Sequence, residues 1–168
     1  SYVLISSDDH DIKNPQFDKS VSSVDYFTRD ALLAYEKWSS PLNSNISARL
    51  ITYNSMGSET NITNDGFMNI KPSVAYFTAV NQNNEGAIVY QTNKNGNNDI
   101  FFARFNGVTW STAVPIAADI ADENDPSITP YEFSSMKNFI VAYEKNGDVY
   151  LKNYFNLNWL NDTNITLE

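Results

Sequence analysis

The chain contains no cysteine, a single histidine, six glycines and six prolines among 168 residues. Without cysteine there is neither a disulfide nor a thiolate metal site, and one histidine leaves too few ligands for zinc. Positive charge is also scarce: 11 Lys and Arg face 20 Asp and Glu, a net charge of −9 with a pI near 4.4. Such a surface repels a phosphate backbone, so nucleic acid is not an expected partner. No apolar run approaches the roughly 20 residues of a membrane helix, and no membrane span is expected. Nor does any stretch carry the 3.6-residue apolar period of an amphipathic helix.

What the chain has in quantity is aromatic side chains and asparagine. Aromatics make up 14% of the residues, and there are 23 Asn. Aromatic and β-branched residues suit a pleated, half-buried surface, while Asn serves tight turns. A sheet protein is the natural expectation.

A repeat sharpens that expectation. "ISSDDHDIKNPQF" from Ile5, "ITNDGFMNIKPSV" from Ile62 and "IAADIADENDPSI" from Ile116 share one plan. Each runs from Ile through a polar, mostly acidic segment to a Pro ten residues on (Pro15, Pro72, Pro126). An apolar residue follows two places later, at Phe17, Val74 and Ile128, and Ile165 stands where a further copy would begin. Within each unit comes an aliphatic run ending in Tyr: "ALLAYEK", "GAIVYQT" and "FIVAYEK". An Asn-, Gly- or Ser-rich turn and a third stretch follow. A fourth stretch then starts at Trp110 or Trp159, six residues before the next Ile, with Met56 at that offset in the first unit.

Four short strands per unit predict an all-β fold of antiparallel four-stranded sheets. The Pro is expected at the start of each first strand, where its missing N–H matters least. The unbroken apolar runs LLAY, AIVY and FIVAY predict second strands covered on both faces. Sheets of this kind stacked face to face form a β-propeller. The expected blades are 14–62, 63–116 and 117–168, with 1–13 closing a preceding blade.

The stretch "NNDIFFARFNGVTWSTAVPI" resembles blades of the sialidase-type (Asp-box, or BNR) and TolB-type propellers, in which a strand is followed by a G-x-T-W turn. Gly107, Thr109 and Trp110 match that turn, while Ala103 and Phe105 occupy the Ser and Asp places of the box. The resemblance implies the blade plan. It does not carry over the family's catalytic arginines, because Arg29, Arg49 and Arg104 fall at unrelated repeat positions.

Three blades do not close a ring, which takes four to eight. The expectation is part of a six- to eight-bladed ring, completed by further blades of a parent chain or by a homo-oligomer. An uncovered blade face of several hundred Å² would cost on the order of 10 kcal/mol at about 25 cal/mol per Å².

Candidate site residues lie in the loops expected at one end of the blades. Asp9, Asp65 and Asp122 sit in acidic loops that could surround an axis and hold Ca²⁺ or a cationic ligand; the simpler reading is solvated turns. Asp99, ending "NKNGNND", is a candidate calcium ligand, although a hairpin turn explains that segment as well. Trp38 is the candidate for stacking on a sugar ring. Trp110 and Trp159 read as packing between blades, and His10 as a loop residue. No catalytic set is expected; Glu36 and Glu144 hold equivalent places but nothing joins them in sequence. These features favour a non-catalytic binding or scaffold module, extracellular or at the cell surface, with a protein or carbohydrate ligand and no cofactor beyond possible Ca²⁺. The alternative is a fragment of a sialidase-like glycoside hydrolase.

Overall fold

A computed structural model describes residues 10–18, 30–52, 55–77, 84–134 and 136–166, and every regular element among them is a β-strand. The strands form three antiparallel sheets, each an up-and-down meander in chain order. The first holds β1 (Asp11–Phe17), β2 (Ala31–Ser40), β3 (Asn43–Ile51) and β4 (Thr60–Asn61). The second holds β5 (Asn69–Phe77), β6 (Glu85–Thr92), β7 (Asp99–Phe105) and β8 (Val114–Ala117). In the third, β9 (Glu123–Phe133), β10 (Met136–Lys145) and β11 (Asp148–Phe155) are followed by β12 (Asn158–Trp159) and β13 (Thr163–Asn164), both paired to β11. The extra strand is a matter of length. In every sheet the outer segment touches the third strand twice, first through Ile51↔Met56, Phe105↔Trp110 or Tyr154↔Trp159.

The sheets pack face to face, with β5 lying across β1, β2 and β3, and β9 across β5, β6 and β7. Two cores result. Leu32, Ala34, Ile46 and Ala48 of the first sheet meet Val74, Tyr76, Ile88 and Tyr90 of the second. Ala75, Ala87, Val89 and Ile100 of the second sheet meet Ile128, Phe139, Val141 and Tyr143 of the third. Successive side chains of a strand point to opposite faces. Thus Ile88 and Tyr90 enter one core while Ala87 and Val89 enter the other, and the unbroken apolar run of β6 is explained. Trp110 packs on the first core and Trp159 on the second, the latter with its ring 4.9 Å from that of Phe102.

One expectation is corrected. Pro15, Pro72 and Pro126 lie inside β1, β5 and β9 rather than at their starts. Each occupies a bulge, where the ladder register skips two residues. These strands are sheet edges, and at a bulge on an edge Pro removes no ladder hydrogen bond. Of residues 1–13, expected to close a preceding blade, 1–9 lie outside the described residues, and Asp11, Ile12 and Lys13 belong to β1.

Candidate functional site

The strand pattern explains why "AYEK" occurs twice. Alternation sends Tyr and Lys to one face of the second strand and Ala and Glu to the other. In the first sheet, Tyr35 and Lys37 share the face that looks away from the second sheet. There Tyr35 Oη donates to Glu59 Oε2 (2.5 Å), and Lys37 Nζ lies 2.7 Å from Glu59 Oε1. Arg49 joins them, its Nε donating to Tyr35 Oη at 3.2 Å. Burial first, and then the Glu59 carboxylate, push the Tyr35 hydroxyl up to about 12, so it stays a neutral donor. Burial alone would raise Glu59, but hydrogen bonds from Lys37 and Tyr35 outweigh it and hold the carboxyl below its ordinary range.

The third sheet repeats the plan with Tyr143, Lys145, Lys152 and Asp162 at the corresponding places. This copy faces the second sheet and lines a cavity of about 340 Å³ together with Asp119 and Glu123. Lys152 Nζ stands 3.0 Å from Asp162 Oδ1, and Lys145 pairs with Asp119. Glu123, the first residue of β9, is buried, with its side chain 1% exposed. Lys145 Nζ lies 3.4 Å from Glu123 Oε1, yet neither carboxylate oxygen has an aligned hydrogen-bond donor. Burial, then the neighbouring Asp119 charge, raise Glu123 from 4.5 to about 7 against the pull of Lys145. Tyr143 is pushed well up by burial and then by Asp162. The cavity thus sets a carboxyl of raised proton affinity beside Asp119, Asp162, Lys145 and Lys152.

The residues singled out in the sequence lie elsewhere. Trp38, at the end of β2, donates from Nε1 to Glu36 Oε2 at 2.7 Å, and Lys13 Nζ rests over its ring, 4.7 Å from the centroid. Together with Asp11, Ser39, Ser40 and Pro41 these two residues line an open cavity of about 460 Å³. Asp65 accepts from Phe67 N (3.3 Å) and Asn69 Nδ2 (2.9 Å), and Asp122 accepts from Asn98 N (2.8 Å). Asp65 serves its own turn, while Asp122 ties the loop before β9 to the β6–β7 hairpin. The loops before the first strands and those between second and third strands do share one end of the stack: Asn97 Nδ2 donates to Asp119 O (3.0 Å), and Met68 N to Asn93 Oδ1 (3.0 Å).

Asp99 is buried, accepts from Asn95 Nδ2 at 2.6 Å, and is raised by burial against that hydrogen bond, with Asp119 and Asp122 adding to the rise. Among the described residues no group of three or more His, Cys, Asp or Glu is placed to hold a metal. Asp9 and Arg29 lie outside the described residues. Glu36 is buried under three donors, Asn14 Nδ2, Lys71 N and Trp38 Nε1, while Glu144 is exposed on the third sheet; they do not form a pair.

The Glu123 cavity escapes sequence reading because its members come from four separate strands and two loops. The signal that was available is the shared face of Tyr and Lys in "AYEK". Set against family models, curated proteins and solved structures, the chain matches none.

Proposed function

We propose that this chain is a segment of a β-propeller that serves as a non-catalytic binding or scaffold module, extracellular or at the cell surface. The observation that carries the reading is the packing of three up-and-down sheets, the second and the third each laid by its first strand across the sheet before it. The fold reading gives the binding end: the loops before the first strands and those between second and third strands converge there. The Trp38 cavity falls within the volume range of small-ligand sites, and it joins an aromatic face to polar and charged groups. That combination suits a sugar ring or a polar side chain of a partner protein.

A second reading has one observation in its favour. Glu123, raised to about 7 beside Asp119, has the character of a general acid in glycoside hydrolysis. One experiment separates the two. The chain is applied to glycan and extracellular-protein arrays, and in parallel to aryl glycosides. The module reading expects a binder lost in Trp38→Ala and kept in Glu123→Gln, with no turnover. Glycoside cleavage abolished by Glu123→Gln would replace it with the hydrolase.

A further inference from the structure

Three carboxyl groups and two ammonium groups meet in the cavity between the second and third sheets. Four of the five are matched. Lys145 on β10 pairs with Asp119 from the loop before β9, and Lys152 on β11 lies 3.0 Å from Asp162 Oδ1. Lys152 Nζ also donates to Ile116 O at 2.5 Å, and Lys145 Nζ lies 5.7 Å from the centroid of the Tyr150 ring. Glu123 is the fifth. Its backbone is held in place, N donating to Asn98 O at 2.7 Å, and its side chain is 1% exposed. The cation beside it, Lys145 at 3.4 Å from Oε1, is engaged by Asp119, and neither oxygen of Glu123 has an aligned donor.

An ionised carboxylate buried without donors is unfavourable, so Glu123 holds a proton more tightly than an ordinary carboxyl. With that proton the five side chains balance; without it they are one positive charge short. The surroundings do not make up the difference. Asp99, at the start of β7, is a further carboxyl close enough to feel Asp119, and Tyr143 stays a neutral hydroxyl. What can take the place of the proton is a group of single positive charge that carries several N–H donors. A divalent ion matches less well, because among the described residues no three carboxyl groups are placed to ligate one. An anionic ligand would be repelled by the three carboxyl groups.

We propose that this cavity binds a primary ammonium group on a short aliphatic stem, the ammonium donating to both oxygens of Glu123. Such a headgroup brings one charge and three donors. The stem lies along Pro115 and Ala118, apolar residues of the cavity wall that stand exposed. A volume of about 340 Å³ admits a ligand of this size. Binding exchanges one cation for another: the ammonium enters, and the proton of Glu123 leaves to solvent. Affinity therefore rises with pH as Glu123 ionises, until the amine loses its own proton. The site shares no residue with the Trp38 cavity, and it does not depend on the propeller reading.

Calorimetric titration of the full chain with n-butylammonium at about pH 8 and about pH 5.5 tests it. Binding is expected at the higher pH and at least tenfold weaker at the lower. At about pH 6, buffers of different ionisation heat are expected to show close to one proton released per ligand. n-Butanol lacks the charge and tetramethylammonium lacks the N–H donors, and each is expected to bind at least tenfold more weakly. Glu123→Gln is expected to abolish both binding and proton release, while Glu144→Gln, at an exposed position of the same sheet, leaves both unchanged. No binding, equal affinity at the two pH values, an equal response to either control compound, or binding that survives Glu123→Gln overturns the proposal. Should that variant fail to fold, the pH ratio and the proton count on the parent chain decide the matter. A free amine and a lysine side chain carry the same headgroup, so lysine blocked at both ends is titrated alongside. Binding at least tenfold tighter than that of n-butylammonium assigns the site to a lysine of a partner protein, and anything less assigns it to a free amine.

Discussion

Leu157 holds a backbone conformation that suits glycine. With Asn156 it forms the two-residue turn between Phe155 and Asn158, at φ of 48° and 64°. The hairpin before it has the same geometry in Asn146 and Gly147, at 55° and 85°. Turns with positive φ at both central residues favour Asn-Gly, and a Cβ there costs about 1 kcal/mol. Leu157 is also 62% exposed, so little packing is lost with it. Leu157→Gly is therefore expected to stabilise the chain by about 0.5–1 kcal/mol, a rise in Tm of roughly 1–4 °C. A fall on calorimetry would mean the side chain packs in a way the turn does not reveal. Glu123 acts in the opposite direction. Its proton affinity is higher in the folded state, so stability is greatest below the ordinary carboxyl range and declines as pH rises through about 7. Solvent screening leaves this on the order of 1–2 kcal/mol between pH 5 and 8. Urea unfolding of Glu123→Gln at the two pH values is expected to show a smaller difference than the parent chain; an equal one would place the titration elsewhere.

At the level of the strand, the first strands set the geometry and the second strands hold it. Glu36 accepts from a bulge N–H, an indole and an amide while almost wholly buried. Removing it strands those donors, so Glu36→Ala should cost about 2–4 kcal/mol in denaturant unfolding, and Glu36→Gln less than half as much. A loss below 0.5 kcal/mol for Glu36→Ala, on the same scale, would mean that water replaces the carboxylate. The order of strands was legible because Ile, Pro, Tyr and Trp mark equivalent places, and the equivalence of Met56 to the two tryptophans reappears as the first touch of each outer segment. The bulges were not legible. Pro announces a break in a ladder, but nothing local announces the left-handed Asn, Lys or Asp before it, and the acceptors of the freed N–H of Lys71 and Asp125 lie in another sheet. The acidic loops posed the same difficulty: turn and ligand site both call for Asp, and only the positions of Phe67 N and Asn98 N show Asp65 at work in its turn and Asp122 bridging two loops. The Glu123 cavity needs stacking to exist at all, so local pattern could not show it.

Across the whole molecule, protection follows coverage. The second sheet lies between the other two described sheets, and β6 runs through its middle. Amide hydrogen exchange should be slowest from Ala87 to Gln91 and fastest in β4, β12 and β13, with β2 and β10 between. Uniform rates would indicate that the stack opens as one unit. The unfolding of such an array depends on contacts between nearest neighbours, so weakening either core should loosen one outer sheet before the centre.

The edges of the three sheets carry a separate consequence. On the inner side each ends in a strand interrupted by a proline bulge, and on the outer side in fragments of two to four residues. Neither side offers a straight run of unpaired backbone groups on which a foreign strand could zip up. Among the described residues, the edges of a chain rich in aromatic, β-prone segments thereby resist lateral growth into fibrils.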